Sequence, residues 1–276
     1  MKGYRTEKVV IQSDRKPMKL LTLRPTARLI RDNAPCVLWI HGGGYATGMA
    51  GMVHMSRAVD LIRRLGAVVI SPAYRLSGKH PYPAAVNDCY RALAYMHQHA
   101  ELLGCNPARL IVGGESAGGG LAVAVCMMAR DRGTIPVALQ LPLYPMLDNR
   151  DTASSWNNHG LTWNTRCNHA AWKQYLRGLT GSVPPYAAPA RQTDYANLPP
   201  CYTFVGDREV FFCETQQYVA NLQAAGVEAR CDVYPTGMHA FDMLTPRRRI
   251  SRSAAANFVR NVEDMLQRMD EPHSPF

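Results

Sequence analysis

Short apolar runs alternate with longer stretches of helical spacing along most of the chain. Cys36–Ile40, Ala67–Ser71, Leu110–Val112, Leu139–Leu143, Cys201–Val205 and Ala229–Tyr234 read as strands. Between them, Met55, Ala58, Val59, Ile62 and Leu65 share one face of a helix predicted over 54–65, and 84–98 reads as a second helix. A long apolar helical pattern runs from Leu121 to Arg130, and Phe258, Val259, Val262, Met265 and Leu266 form the stripe of a closing helix. Such alternation predicts an α/β fold with a mostly parallel, doubly wound sheet. Ahead of it, Lys8–Ile11 and Met18–Leu23 read as a starting antiparallel pair.

Several strands end in residues that carry chemistry. Leu110 leads into Gly114-Glu115-Ser116-Ala117-Gly118, the strand–turn–helix context of a nucleophile elbow. The turn is so sharp that residues two before and two after the serine crowd each other, and Gly114 and Gly118 remove the Cβ atoms that would clash. Ser116 is thereby exposed above a helix N-terminus, where developing negative charge is favoured. Cys36–Ile40 ends in His41-Gly42-Gly43-Gly44-Tyr45, whose glycines let backbone amides turn toward an oxyanion. A phosphate-cradling loop would want a following Lys-Ser/Thr pair, which Tyr45-Ala46-Thr47-Gly48 lacks. Two later strands end near ionisable residues, Asp207 and His239, and sites in open parallel sheets collect at the carboxyl ends of strands.

From about Pro35 to Asn261 the chain resembles the hormone-sensitive-lipase-like family of α/β-hydrolase carboxylesterases. The resemblance rests on the two glycine motifs and on Tyr74-Arg75-Leu76 followed by His80-Pro81-Tyr82-Pro83-Ala84-Ala85. It also rests on Pro142-Leu143-Tyr144-Pro145, Gly206-Asp207 with Glu214, and Gly237-Met238-His239 before Phe241. The family's order of serine, acid and histidine implies a Ser116–His239–Asp207 triad, with the backbone amides of Gly43, Gly44 and Ala117 as oxyanion hole. Tyr45, Glu115 and Trp163 are the expected substrate contacts.

The chain departs from the family pattern in three places. Glu115 stands where Asp or Thr is usual. Arg208-Glu209-Val210-Phe211-Phe212-Cys213-Glu214 replaces the usual Pro-Leu-x-Asp, which leaves Glu209 and Asp242 as poorer alternatives for the acid. The glycine triplet begins at position 42, several tens of residues earlier than in relatives, so their N-terminal helical cap is expected to be shortened or absent and the pocket more open. One segment, 148–190, breaks the strand–helix alternation. It carries Trp156, Trp163, Trp172, Tyr175 and Tyr186, and is expected to form a helical lid over Ser116 that shapes the substrate pocket.

Length and composition narrow the remaining choices. With 276 residues, 47% of them hydrophobic, one α/β-hydrolase domain spanning 1–276 is expected, the lid inserted within it. The N-terminus has no apolar core of the kind a signal peptide needs, and no apolar stretch is long enough to span a bilayer, so a cytoplasmic protein without stable membrane insertion is expected. The eight cysteines are scattered without metal-ligand spacing and read as small buried hydrophobes, and no metal or cofactor is expected. A net charge of +10 raises nucleic acid as a partner, but Lys and Arg are spread without interleaved aromatics, and no nucleic-acid partner is expected. Arg247-Arg248-Arg249 with Arg252 reads as a solvated helix start, or as a rim steering anionic esters. Arg75 and Asp88 are expected to pair beneath the site, and His41 to anchor the oxyanion loop.

These features together predict a serine carboxylesterase acting on short-chain or small aromatic acyl esters, a small-molecule substrate. The resemblance also implies a homodimer. An amidase or peptidase on the same fold would normally carry a gating domain. A non-catalytic small-molecule receptor on the fold would typically lack a triad member, whereas Ser116, Asp207 and His239 are all present.

Overall fold

The computed structural model describes residues 3–270. Eight strands form one sheet in the order β1-β2-β4-β3-β5-β6-β7-β8. They are β1 (Tyr4–Ser13), β2 (Lys16–Pro25), β3 (Cys36–Ile40), β4 (Val68–Pro72), β5 (Leu110–Glu115), β6 (Leu139–Leu143), β7 (Cys201–Gly206) and β8 (Ala229–Tyr234). The expected N-terminal pair is a hairpin, β1 against β2 with Ile11 opposite Met18, and β2 continues antiparallel onto β4. From β4 to β8 every neighbouring pair is parallel.

The interior strands are buried on both faces, and their side chains divide by parity. Cys36, Leu38 and Ile40 of β3 join one core with Val112 of β5, whereas Val37, Trp39 and Ile111 join the other. The first core is covered by α2 (Ala84–His99) and α3 (Ala117–Arg132), and α5 (Phe212–Ala224) packs beside α3 through Val123 and Met127. The second is covered by α1 (Ala58–Leu65) and α7 (Arg249–Asp270), whose Phe258, Val262, Met265 and Leu266 are the expected closing stripe. Two more helices lie near the carboxyl ends of the strands, α4 (Thr165–Tyr175) and the single turn α6 (Phe241–Leu244).

The helix expected over 54–65 is shorter than its periodicity suggests. A 3-10 turn occupies Ala50–Met55, and Ser56 is extended at φ −83° and ψ 168°. Its Oγ accepts from the amide of Ala58 at 3.2 Å, so the α-helix starts there, and Met55 faces solvent instead of the core. Before β3, the described residues form only the hairpin and one 3-10 turn, Ala27–Leu29, with no helix over Ser116. Among the described residues, no helix is long and apolar enough to cross a membrane.

Two buried carboxyl groups tie the layers together. Asp88 on α2 is 1% exposed and takes Arg75 Nε and Nη2 at 2.9 and 2.8 Å, the expected pair, while also accepting from Ser13 Oγ at the hairpin turn. Glu115, at the end of β5, accepts from Trp39 Nε1 at 2.7 Å in the second core. Burial pushes its carboxyl up to about 8, with nearby Asp242 adding to the rise against the pull of the Trp39 bond. The folded protein therefore prefers Glu115 protonated. The stability this group contributes is fully present below the ordinary Glu pKa and is lost as pH rises through about 8. Glu115→Gln, which mimics the protonated form, should melt with the wild type at pH 5 and above it at pH 9, by roughly 3 °C or more. Thermal denaturation at the two pH values reads this directly.

Candidate functional site

The site forms where the loop after β3 crosses the turn after β5. Ser116 sits at φ 57° and ψ −122°, a conformation rare for a non-glycine residue. It persists because the turn is clamped from three sides. Its amide donates to Leu143 O and its carbonyl accepts from Gly120 N and Met146 N, each at 3.0 Å. A Cβ on Gly114 would lie 2.7 Å from the carbonyl carbon of Gly118, and one on Gly118 would meet the carbonyl oxygens of Ile40 and His41. The two glycines thus admit not only each other but the end of β3.

His239, in the loop after β8, reaches across to this turn. Its Nε2 lies 2.9 Å from Ser116 Oγ, and its Nδ1 lies 2.8 Å from Glu209 Oε2. The carboxylate that meets His239 in the structure is therefore Glu209, not the expected Asp207. Asp207 points to solvent and pairs with Arg208 at 3.3 Å. Glu209 is 1% exposed, tucked at the start of the turn before α5. Its Oε1 has no partner among the described residues, and burial pushes its carboxyl up while the His239 imidazole draws it back. Asp242, the other alternative, is committed elsewhere: it accepts from Tyr144 Oη at 2.8 Å and pairs with Arg57 at 3.2 Å. The available signal was in the flanks. Glu209 precedes the apolar pair Val210-Phe211, whereas Asp207 is followed by Arg208, the pattern of a solvated residue.

The oxyanion side has the expected residues in place. Gly43 and Gly44 take φ of 112° and 57°, and among the described residues neither amide donates to a protein acceptor. Ala117 is the first residue of α3, so its amide has no intrahelical partner. A Cβ on Gly42 would lie 2.9 Å from Glu115 O and 3.3 Å from Ser116 Cβ, which measures how tightly the loop lies on the turn. His41 fixes the loop from beneath, as expected: its Nδ1 contacts Gly42 O at 2.8 Å and its ring stacks on Tyr74 at 4.2 Å. Burial brings its pKa down to about 4, so it remains neutral as an anchor.

The three expected substrate contacts separate. Trp163 lies at the site, its ring 6.3 Å from His239 and 6.5 Å from Phe211. Tyr45 does not face a substrate: it is 1% exposed, stacks on Tyr175 at 3.9 Å and donates to Met146 O. Glu115 is likewise turned away, held in the core by Trp39. Both follow from parity, because the neighbours of a residue held into the pocket by a sharp turn are directed into the layers beneath. Of the segment expected as a lid, α4 lies on the oxyanion loop, with Ala171 Cβ 3.2 Å from where a Cβ on Gly44 would be, and Thr162 Oγ1 donates to His239 O at 3.1 Å. Trp156 is exposed. Glu214 ties α5 to the start of this segment by accepting from the amides of Leu147 and Asp148. Arg247, Arg248 and Arg249 are exposed at the approach to α7, away from any ion pair among the described residues.

With a hydroxyl, an imidazole and a carboxylate joined in series beside a loop whose Gly43 and Gly44 amides have no protein acceptor among the described residues, the arrangement is suited to nucleophilic acyl transfer. The chain is similar to known esterases. Carboxylesterase NlhH of Mycobacterium tuberculosis is 32% identical over 222 residues, covering 77% of this chain and 68% of that protein. Among solved structures, a bacterial heroin esterase superposes with a TM-score of 0.87 at 36% identity, over 92% of this chain and 82% of its own. Esterase LipW from Mycobacterium marinum does so with 0.88 at 31% identity, over 96% and 83%. Residues 37–243 match a family described by its alpha/beta hydrolase fold, and the chain belongs to that hormone-sensitive-lipase-like family of α/β-hydrolases, serine hydrolases of carboxylic esters.

Proposed function

We propose that the protein is a serine carboxylesterase that hydrolyses short-chain or small aromatic acyl esters through an acyl-enzyme on Ser116. The observation that carries the reading is the imidazole of His239, hydrogen-bonded on one nitrogen to Ser116 Oγ and on the other to the buried Glu209. Glu209 as carboxylate accepts the Nδ1 proton, which leaves the Nε2 lone pair for the serine proton. Ser116 Oγ attacks the ester carbonyl carbon as His239 takes its proton. The amides of Gly43, Gly44 and Ala117 receive the oxyanion. The carbon–oxygen bond to the alcohol breaks as His239 Nε2 returns the proton to it, and a water activated by the same nitrogen then releases the acid. The relatives, named as esterases, support ester hydrolysis as the reaction class, and the close approach of Trp163 to Gly44 supports a small pocket.

Hydrolysis of p-nitrophenyl esters from acetate to dodecanoate should peak at the short chains, and Ser116→Ala should cost on the order of 10⁴ to 10⁶ in turnover. A preference for long chains, or activity surviving in the variant, would refute the reading. The acid is tested separately. Glu209→Gln should lower kcat by about 10³ to 10⁴, as expected when a buried acid no longer fixes the histidine tautomer. Asp207→Asn should stay within about twofold of wild type, as for a surface substitution. The opposite pattern in p-nitrophenyl acetate kinetics would return the role to Asp207.

A further inference from the structure

The irregular stretch between β6 and α4 places Trp163 beside both the oxyanion loop and His239. A Cβ on Gly44 would lie 2.5 Å from its Cη2 and 3.2 Å from its Cζ2, so the benzenoid edge of the indole rests on the oxyanion loop. The ring also faces His239 and Phe211. The loop that carries it is anchored next door by the Thr162 bond to the carbonyl of His239. Nε1 lies on the same edge of the indole as Cζ2, joined to it through one ring carbon. The N–H shares the ring edge whose Cζ2 lies against Gly44.

That N–H is buried and has no hydrogen-bond partner among the described residues. Proteins leave few buried donors unsatisfied, because the group has lost water and gained nothing in return. Trp172 Nε1 on α4 is also unpartnered, but its ring packs against Tyr45 and Tyr175. Among the described residues, only at Trp163 does the orphaned donor belong to a ring that lies on the oxyanion loop with its centroid 6.3 Å from that of His239. A site built to hydrogen-bond a polar substrate group discriminates against an analogue lacking it, because the site's own group is then left unpaired.

We infer that Trp163 is a specificity-determining donor: its indole N–H hydrogen-bonds an uncharged oxygen carried by the substrate close to the scissile carbonyl. The enzyme thereby favours alkoxy- or keto-bearing esters over hydrocarbon esters of the same shape. The acceptor oxygen sits on either the acyl or the alcohol side of the ester. This inference rests on the esterase reading above.

The test uses two isosteric pairs. p-Nitrophenyl methoxyacetate against p-nitrophenyl butyrate varies the acyl side, and 2-methoxyethyl acetate against butyl acetate, followed by pH-stat, varies the alcohol side. Wild type is compared with Trp163→Phe, which keeps an aromatic ring and removes the N–H, and with Trp163→Leu. Intrinsic ester reactivity cancels when each variant's kcat/KM is divided by that of wild type. In one pair, both variants should lose roughly 3- to 10-fold more on the oxygen-bearing ester than on its hydrocarbon partner, the size of one neutral hydrogen bond. The pair that shows the loss identifies the side. Equal effects on both members of both pairs overturn the inference and leave the esterase intact. A folded wild type that hydrolyses none of the four esters overturns the esterase reading itself.

Discussion

The backbone of Ser116 is held in a strained turn because three chain segments meet there with no room for a side chain between them. Gly118 lies so close to the carbonyls of Ile40 and His41 that no Cβ fits, and Gly42 rests on Glu115 and Ser116. Strain of this kind costs of order 1–3 kcal/mol and persists only where surrounding structure over-determines it. Here the over-determination comes from β3, β5 and β6, parallel neighbours whose ends carry the glycine loop, the serine and the Leu143–Met146 clamp. One constraint therefore sets the distance between nucleophile and oxyanion amides. It also sets the height at which His239 must arrive from β8.

The acid is freer, because it only has to reach His239 from the end of β7. Asp207 is at the strand end itself, and its side chain emerges into water beside Arg208. Two residues later the chain has turned toward the core, and the longer Glu209 side chain spans the gap to Nδ1. Moving the acid off the strand end buries it. That raises its carboxyl pKa, which the His239 imidazole draws back, and leaves one oxygen without a partner among the described residues.

Much of this arrangement is legible in the sequence, and what is not has a physical reason. The strands declare themselves because those inside the sheet are apolar on both faces. The glycine motifs do so because close backbone contact admits no other residue. Ala229–Tyr234 matches its predicted bounds, and the hairpin pairs as its alternation suggests. Periodicity fails at Met55, where Ser56 breaks the turn that would have continued the helix. Adjacency in sequence fails at Tyr45 and Glu115, whose side chains pack into the layers beneath, onto Tyr175 and Trp39 respectively. The choice between Asp207 and Glu209 depends on how far the chain turns before α5, a tertiary property that spacing alone does not carry.

The central claim is that Ser116 is a nucleophile activated through His239 by Glu209. Labelling with diisopropyl fluorophosphate, followed by mass spectrometry of the intact chain and of its peptides, tests it most directly. One diisopropylphosphoryl group per chain on the peptide carrying Ser116, installed far more slowly in Glu209→Gln and at the wild-type rate in Asp207→Asn, is the predicted result. An adduct on another residue, or a labelling rate that follows Asp207 and ignores Glu209, would contradict it.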